Sequence, residues 1–399
     1  DTYNAVIDMW VSPFGNIFIN LNEDNVDTEE KYRQILSEEE KESERNAIRK
    51  SSALLKEMEL WCHDAHIRPK LEISSSKSNS DKNIVSSQNI IKSVSPNQHT
   101  FHLVLVAYSQ LAMLHNSIQI AIEARQVLQR MHIRYQAYST KLNSHDVHKQ
   151  SYPTNESFLI VLSAFCTLAL SNPSSTTASK VALNESISLL NEMESISQDY
   201  LYRKEGSDEN DLVQPILDKN SYEMIISAFC QQDHSSCTAI RAWDLVLRLE
   251  DQHILIMKFQ KSNNACQHNE ILRPSLKLYN NILARCTIEA SHNLFDKENF
   301  SEQLNLVEEI YNHLKEKKYA KCDSKTYGLM LKFYAQFLSY VSENKESHMS
   351  LEENEKRNKL KNEIKLKYMK INEECKGRHL VNEYTREMFL NCERHFQSE

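Results

Sequence analysis

Along most of the chain, apolar residues recur three, four, seven and eight positions apart, the spacing that places them on one face of an α-helix. The clearest stretch runs from Asp218 to Leu249. In its first half, KNSYEMIISAFCQ, the pair Ser221-Tyr222 opens a helix whose apolar stripe is Ile225, Ile226, Phe229 and Cys230. A second amphipathic segment follows from Ala239 to Leu249, with alanines that permit close helix approach and larger residues such as Trp243 that fill the space between layers. Neither helix can bury its stripe alone, so the pair must pack on itself and on its neighbours.

The same phrase returns along the chain. First-helix copies open at Tyr3, Phe101, Phe158, Tyr222, Tyr279, Tyr327 and Tyr384, and second-helix copies begin near Ala53, Ala121, Ala182, Ala239 and Gln303. The openings are unevenly spaced, but the local wording holds: Ala107-Tyr108, Ala164-Phe165 and Ala228-Phe229 each sit six and seven residues after their aromatic. We expect an all-α chain, one α-solenoid over residues 1–399 with about seven degenerate helical hairpins. Polar insertions are expected at 14–50, 71–95, 140–152, 171–180, 201–215, 255–272 and 343–361. A stack of hairpins tolerates them because the packing that holds it is between neighbours. The acid-rich run around SEEEKESE suits either a solvated helix extension or a loop, whereas Ser74 to Ser80 is a loop by composition.

Composition supports helices. Four glycines and seven prolines among 399 residues leave few of the punctuators that sheets need, and a 40% hydrophobic content supplies a core. A net charge of -8 does not advertise nucleic-acid binding, although a basic groove can be offset by acidic insertions. Nine cysteines without paired spacing argue against a disulfide framework. Cys166, Cys230, Cys286 and Cys392 fall on apolar faces and read as buried thiols. The compact cluster Cys62-His63-Asp64-Ala65-His66 lacks a partner at zinc-site spacing, so no metal is expected. With no phosphate-binding glycine loop, no HExxH, no nucleophile elbow and no zinc-deaminase signature, the chain reads as a binding protein without enzyme activity or cofactor. Glu308-Glu309 and Glu373-Glu374 read as solvated helix faces. No membrane span is legible, and the chain begins at Asp1, as a processed or cropped form would.

The phrases TYNAVID, SFLIVLSAFC, SYEMIISAFC and LYNNILARC, paired with ALLKEME and SLLNEME, resemble degenerate pentatricopeptide repeats. That family's helical hairpins, related to tetratricopeptide repeats, stack into a right-handed superhelix. Its members are typically organellar proteins that read single-stranded RNA one base per repeat; others belong to mitochondrial ribosomes or hold protein partners. The resemblance implies a mitochondrial or, alternatively, plastid protein. It implies support of RNA processing, stability or translation, or else a role as a protein-interaction scaffold in an organellar ribonucleoprotein such as the mitochondrial ribosome.

In that family the base is contacted by the residue after the opening aromatic and by the residue four places before the next one. Carried onto this chain, the pairs are Asn4 with Asn97, His102 with Thr154, Leu159 with Asp218, Glu223 with Ser275, Asn280 with Asp323, and Gly328 with Leu380. The Asn280–Asp323 pair resembles a uracil-preferring reader. Leu159, Glu223, Gly328 and Leu380 depart from the usual polar pairings. Arg125, Arg130, Arg241 and Lys315 are the candidate phosphate contacts, provided that they face a common groove. Glu123, Glu185, Glu192 and Glu308 lie among them, and such alternating charge also suits protein docking.

Overall fold

A computed structural model describes residues 38–72, 96–139, 152–171, 176–204, 217–231, 238–262, 272–292, 297–317, 320–343 and 351–397. Among the described residues there are twelve α-helices and no strand, as the apolar spacing implied. The chain divides into two compact units, Asp1–Leu217 and Asp218–Glu399. The opening phrase at Tyr3, and with it Asn4, lies outside the described residues.

The first unit holds α1 (Glu38–Glu72), α2 (Gln98–Leu114), α3 (Ile118–Ser139), α4 (Asn155–Ser171) and α5 (Thr176–Lys204). Helix α2 packs on α1, α3 and α4, and α4 packs on α3 and α5. The second unit holds α6 (Lys219–Gln231), α7 (Thr238–Ser262), α8 (Leu276–His292), α9 (Lys297–Glu316), α10 (Ser324–Glu343), α11 (Leu351–Gly377) and α12 (Glu383–Gln397). Within it the first helices pack in succession, α6 on α8, α8 on α10 and α10 on α12. Each of α6, α8 and α10 also packs on the second helix that follows it, α7, α9 and α11. Several helices reach into stretches expected as insertions: α1 starts at Glu38, α7 continues to Ser262 and α11 starts at Leu351. The run from Glu38 to Lys50 is therefore a helix extension.

The recurring Ser/Thr-aromatic phrase has a local cause in helix capping. The Ser or Thr occupies the third helical position, and the side chain three residues earlier accepts a hydrogen bond from its backbone N–H. The N–H of Thr100 donates to Asn97 at 2.9 Å, that of Ser157 to Thr154 at 3.3 Å, that of Ser221 to Asp218 at 3.0 Å and that of Thr326 to Asp323 at 2.8 Å. At α2 and α10 the threonine hydroxyl accepts from the cap residue's own N–H in return, closing a reciprocal cap. Each cap contributes about 1 kcal/mol. The aromatic that follows points into the core: Phe101, Phe158, Tyr222, Tyr279 and Tyr327 are all 0% exposed. Ala107, Ala164 and Ala228 are equally buried one face further on, where a larger side chain would hold neighbouring helices apart.

The last copy sits two residues later than the sequence suggested. Its cap is Asn382, which accepts from the N–H of Thr385 at 2.9 Å, so Arg386 and not Tyr384 occupies the opening-aromatic position. With so few glycines, two helices end on other residues in the left-handed region. Asn116, at φ 49°, follows α2, and His379, at φ 56°, follows α11. In each case paired bonds close the last turn: Ser117 N–H to Ala112 O with Asn116 N–H to Met113 O, and Leu380 N–H to Cys375 O with His379 N–H to Lys376 O.

Candidate nucleic-acid interface

The residues singled out as base contacts are held at the starts of the first helices, and two of the second unit's pairs meet in space. The Ser275 hydroxyl donates to Glu223 Oε1 at 3.2 Å. The Asn280 amide donates to Asp323 Oδ1 at 3.3 Å, and the Thr326 hydroxyl donates to Asn280 Oδ1 at 2.8 Å. These partners stand 52 and 43 residues apart in sequence. They meet because α6 lies beside α8 and α8 beside α10, bringing an early polar residue of one helix against the cap of the next. Asn280 is 3% exposed, with both ends of its amide engaged within the protein. Burial raises the Asp323 carboxyl, but hydrogen bonds from Thr326 and Asn280 outweigh it and hold the pKa below the ordinary value.

In the first unit, His102 Nε2 lies 3.7 Å from Glu156 Oε1, two residues beyond Thr154. Burial lowers the His102 pKa against the pull of Glu156. Asn97, Thr154, Asp218 and Asp323 all serve as helix caps, a structural role that by itself accounts for short polar side chains at those positions. Gly328 lies against the Tyr384 ring, whose Cδ1 would stand only 2.5 Å from a Cβ added there, with Cε1 closer still.

The candidate phosphate contacts are largely engaged with carboxylates on neighbouring second helices. Arg125 of α3 pairs with Glu185 of α5 and donates to the Ser188 hydroxyl at 2.9 Å. Arg130 of α3 pairs with Glu59 of α1 at 2.9 Å. Burial nevertheless raises the Glu59 carboxyl above its usual range, against the opposing pull of Arg130 and Arg134. Lys315 of α9 lies 2.6 Å from Glu374 of α11 and 5.3 Å from the Tyr311 ring centroid. Arg241 is exposed in the first turn of α7 and forms no ion pair with a described residue.

Of the paired acids read as solvated faces, Glu373 is exposed, whereas the other three join helices. Glu308 of α9 takes Lys367 of α11 at 2.5 Å, Glu309 accepts from the Trp243 indole N–H at 3.0 Å, and Glu374 accepts from the Tyr311 hydroxyl as well as from Lys315. Burial raises the Glu374 carboxyl, but the bonds from Lys315 and Tyr311 hold its pKa below the usual range.

Two buried polar clusters escaped the sequence reading altogether. Glu289 Oε1 on α8 accepts from the N–H groups of Thr238 and Ala239 at 3.0 and 3.1 Å, from the Thr238 hydroxyl, and from Arg285 Nε at 2.9 Å. Gln303 of α9 reaches the other oxygen at 3.3 Å, so the first turn of α7 is capped by a carboxylate from another helix. Glu250 of α7 collects the Tyr279 hydroxyl at 2.6 Å, His313 at 2.8 Å and Lys317 at 2.6 Å. The only sequence signal for the first cluster was an Arg and a Glu four apart on an otherwise apolar helix face.

The thiols match their reading. Six cysteine side chains are described, all buried and unpaired by disulfides, and burial pushes Cys166, Cys230 and Cys392 up to about 12. No group of acids, histidines and cysteines able to hold a metal occurs among the described residues. The side chains of Cys62, His63, Asp64 and His66 lie outside the described residues. No described helix is long and apolar enough to cross a membrane. No protein-family model matches the chain, and neither a curated protein nor a solved structure shows significant similarity to it.

Proposed function

We propose that the chain is a helical-repeat protein that binds single-stranded RNA in an organelle, a mitochondrion or alternatively a plastid, without catalysing a reaction. Its role is to support RNA processing, stability or translation. The observation that carries the reading is the meeting of Asn280 with Asp323, at positions selected from the sequence as one base-reading pair. An amide and a carboxylate side by side offer a donor and acceptors to a base edge once the network that buries Asn280 opens. Binding requires a base to exchange for part of the Asn280–Asp323–Thr326 network, so affinity is expected to be modest and most sensitive to changes at that pair.

The test measures binding of uridine-rich, cytidine-rich and mixed single strands at two salt concentrations, with wild-type protein and Asp323→Asn. Asparagine retains a cap acceptor while replacing a carboxylate oxygen by an amide donor, so the helix is preserved and the hydrogen-bond pattern offered to the base changes. A changed base preference in a variant that remains folded at the assay temperature supports the assignment. Wild-type affinity no better than a neutral control protein at low salt rejects RNA binding.

A second reading, a protein-interaction scaffold within an organellar ribonucleoprotein such as the mitochondrial ribosome, is favoured by the consumption of Arg125, Arg130 and Lys315 in ion pairs between helices. Retention of the chain in a large assembly after nuclease treatment distinguishes it.

A further inference from the structure

A notch of about 440 Å³ in the second unit is lined by Leu314, Lys315, Lys317, Ala320, Lys321, Cys322 and Arg378. It lies where the C-terminal ends of α9 and α11 come side by side, bounded by the segment that leads into α10. Four of its lining residues are cations and none is an acid. Two of the cations are anchored from behind: Lys315 by Glu374 and Lys317 by Glu250, each at 2.6 Å. Lys321 and Arg378 are exposed and form no ion pair with a described residue, so the notch carries uncompensated positive charge.

Cations near helix C-termini commonly offset the exposed carbonyls there. That need is reduced at α11, where the N–H groups of Arg378, His379 and Leu380 bond the carbonyls of Glu374, Lys376 and Cys375. At α9 the N–H of Lys317 bonds the carbonyl of His313. Asp323, next along the chain, turns its carboxylate to Thr326 and Asn280. Cys322, on the notch wall, has its thiol held neutral by burial, which raises its pKa against the pull of Arg378. No carboxylate belongs to the described lining; Glu374 and Asp323 lie close enough to act on Cys322, but they are bonded to Lys315 and Tyr311 and to Thr326 and Asn280.

We propose that this notch is a phosphate-binding site. Arg378 supplies a planar fork of donors suited to a phosphate's oxygens, and Lys321 supplies a mobile point charge. Lys315 and Lys317, each paired with a carboxylate, line the notch without adding free charge, so the binding rests on Lys321 and Arg378. The site is separate from the Asn280–Asp323 pair and requires no base, so it stands or falls independently of base reading. Its phosphate is either a backbone group of a nucleic-acid strand or that of a small phosphorylated molecule.

Calorimetric titration of the full chain with inorganic pyrophosphate at low salt tests the proposal. Saturable one-to-one binding is expected, weakened about tenfold or more in Lys321→Gln/Arg378→Gln and unchanged in Lys277→Ala, an exposed lysine on α8. Both substituted residues are exposed, and matching thermal melts ensure that any loss is a loss of binding. Displacement of pyrophosphate by an unphosphorylated-end oligouridylate identifies a strand phosphate as the source; displacement by uridine monophosphate alone identifies a small phosphomonoester. Either supports the site. Equal affinity in wild type and the double variant, or binding that never saturates, overturns it.

Discussion

Gly328 shows how one missing side chain can set the packing of two helices. A Cβ at this position would penetrate the ring of Tyr384, so α12 reaches α10 only because residue 328 has none. Glycine within a helix costs roughly 1 kcal/mol relative to alanine. Close contact with the tyrosine offsets that cost. Gly328→Ala is therefore expected to destabilise the protein by about 1–2 kcal/mol, overpacking exceeding the gain in helix propensity. In a Tyr384→Ala background the same substitution should stabilise, by up to about 1 kcal/mol. Urea unfolding of the four proteins gives the coupling, and equal effects of Gly328→Ala in both backgrounds would show that the ring does not set the constraint.

Between elements, buried polar groups fasten the second unit in places where apolar stripes alone leave alternatives. Glu289 joins α8 to the start of α7 and to α9, and both Arg285 and Glu289 are 2% exposed. Glu289→Ala leaves a buried guanidinium without its carboxylate and strips the cap from α7. A loss of about 3–5 kcal/mol is expected. Replacing both charges, as Arg285→Met with Glu289→Met, should cost markedly less, because no unpaired charge remains buried. Chemical denaturation measures both, and a double variant no more stable than Glu289→Ala would mean that the cap, and not the charge balance, dominates. The same lacing recurs between second helices, in Arg130–Glu59, Arg125–Glu185, Lys317–Glu250 and Lys315–Glu374.

For the whole molecule the consequence is sensitivity to acid. Asp323 and Glu374 have pKa values held below the ordinary range in the fold. Such groups contribute stability that is fully present above their unfolded values, roughly 3.9 for Asp and 4.3 for Glu, and lost as pH falls through the lower folded values. Glu59, raised by burial, works in the opposite direction: its contribution is present below the unfolded value and is lost as pH rises through the folded one. Stability measured between pH 6 and pH 3 should therefore fall less steeply in Asp323→Asn than in wild type. Parallel curves would show that Asp323 gains no stabilisation from its bonds to Thr326 and Asn280.

The sequence by itself determined the helices and their order, because a 3.6-residue apolar period, a cap three residues before a Ser or Thr, and a following aromatic are local properties that each segment carries alone. It also located the buried thiols. The polar pairs were named through a family resemblance, and that Glu223 touches Ser275 and Asn280 touches Asp323 follows from how the helices of the second unit pack. Tertiary structure decided what those polar groups do. Whether Arg125, Arg130 or Lys315 faces an open groove or a carboxylate depends on residues about 60 to 70 positions away, a relation that no local period encodes. The buried Glu250 and Glu289 clusters and the cationic notch likewise arise only when separate helices are brought together, because their energies lie in desolvation and pairing between segments.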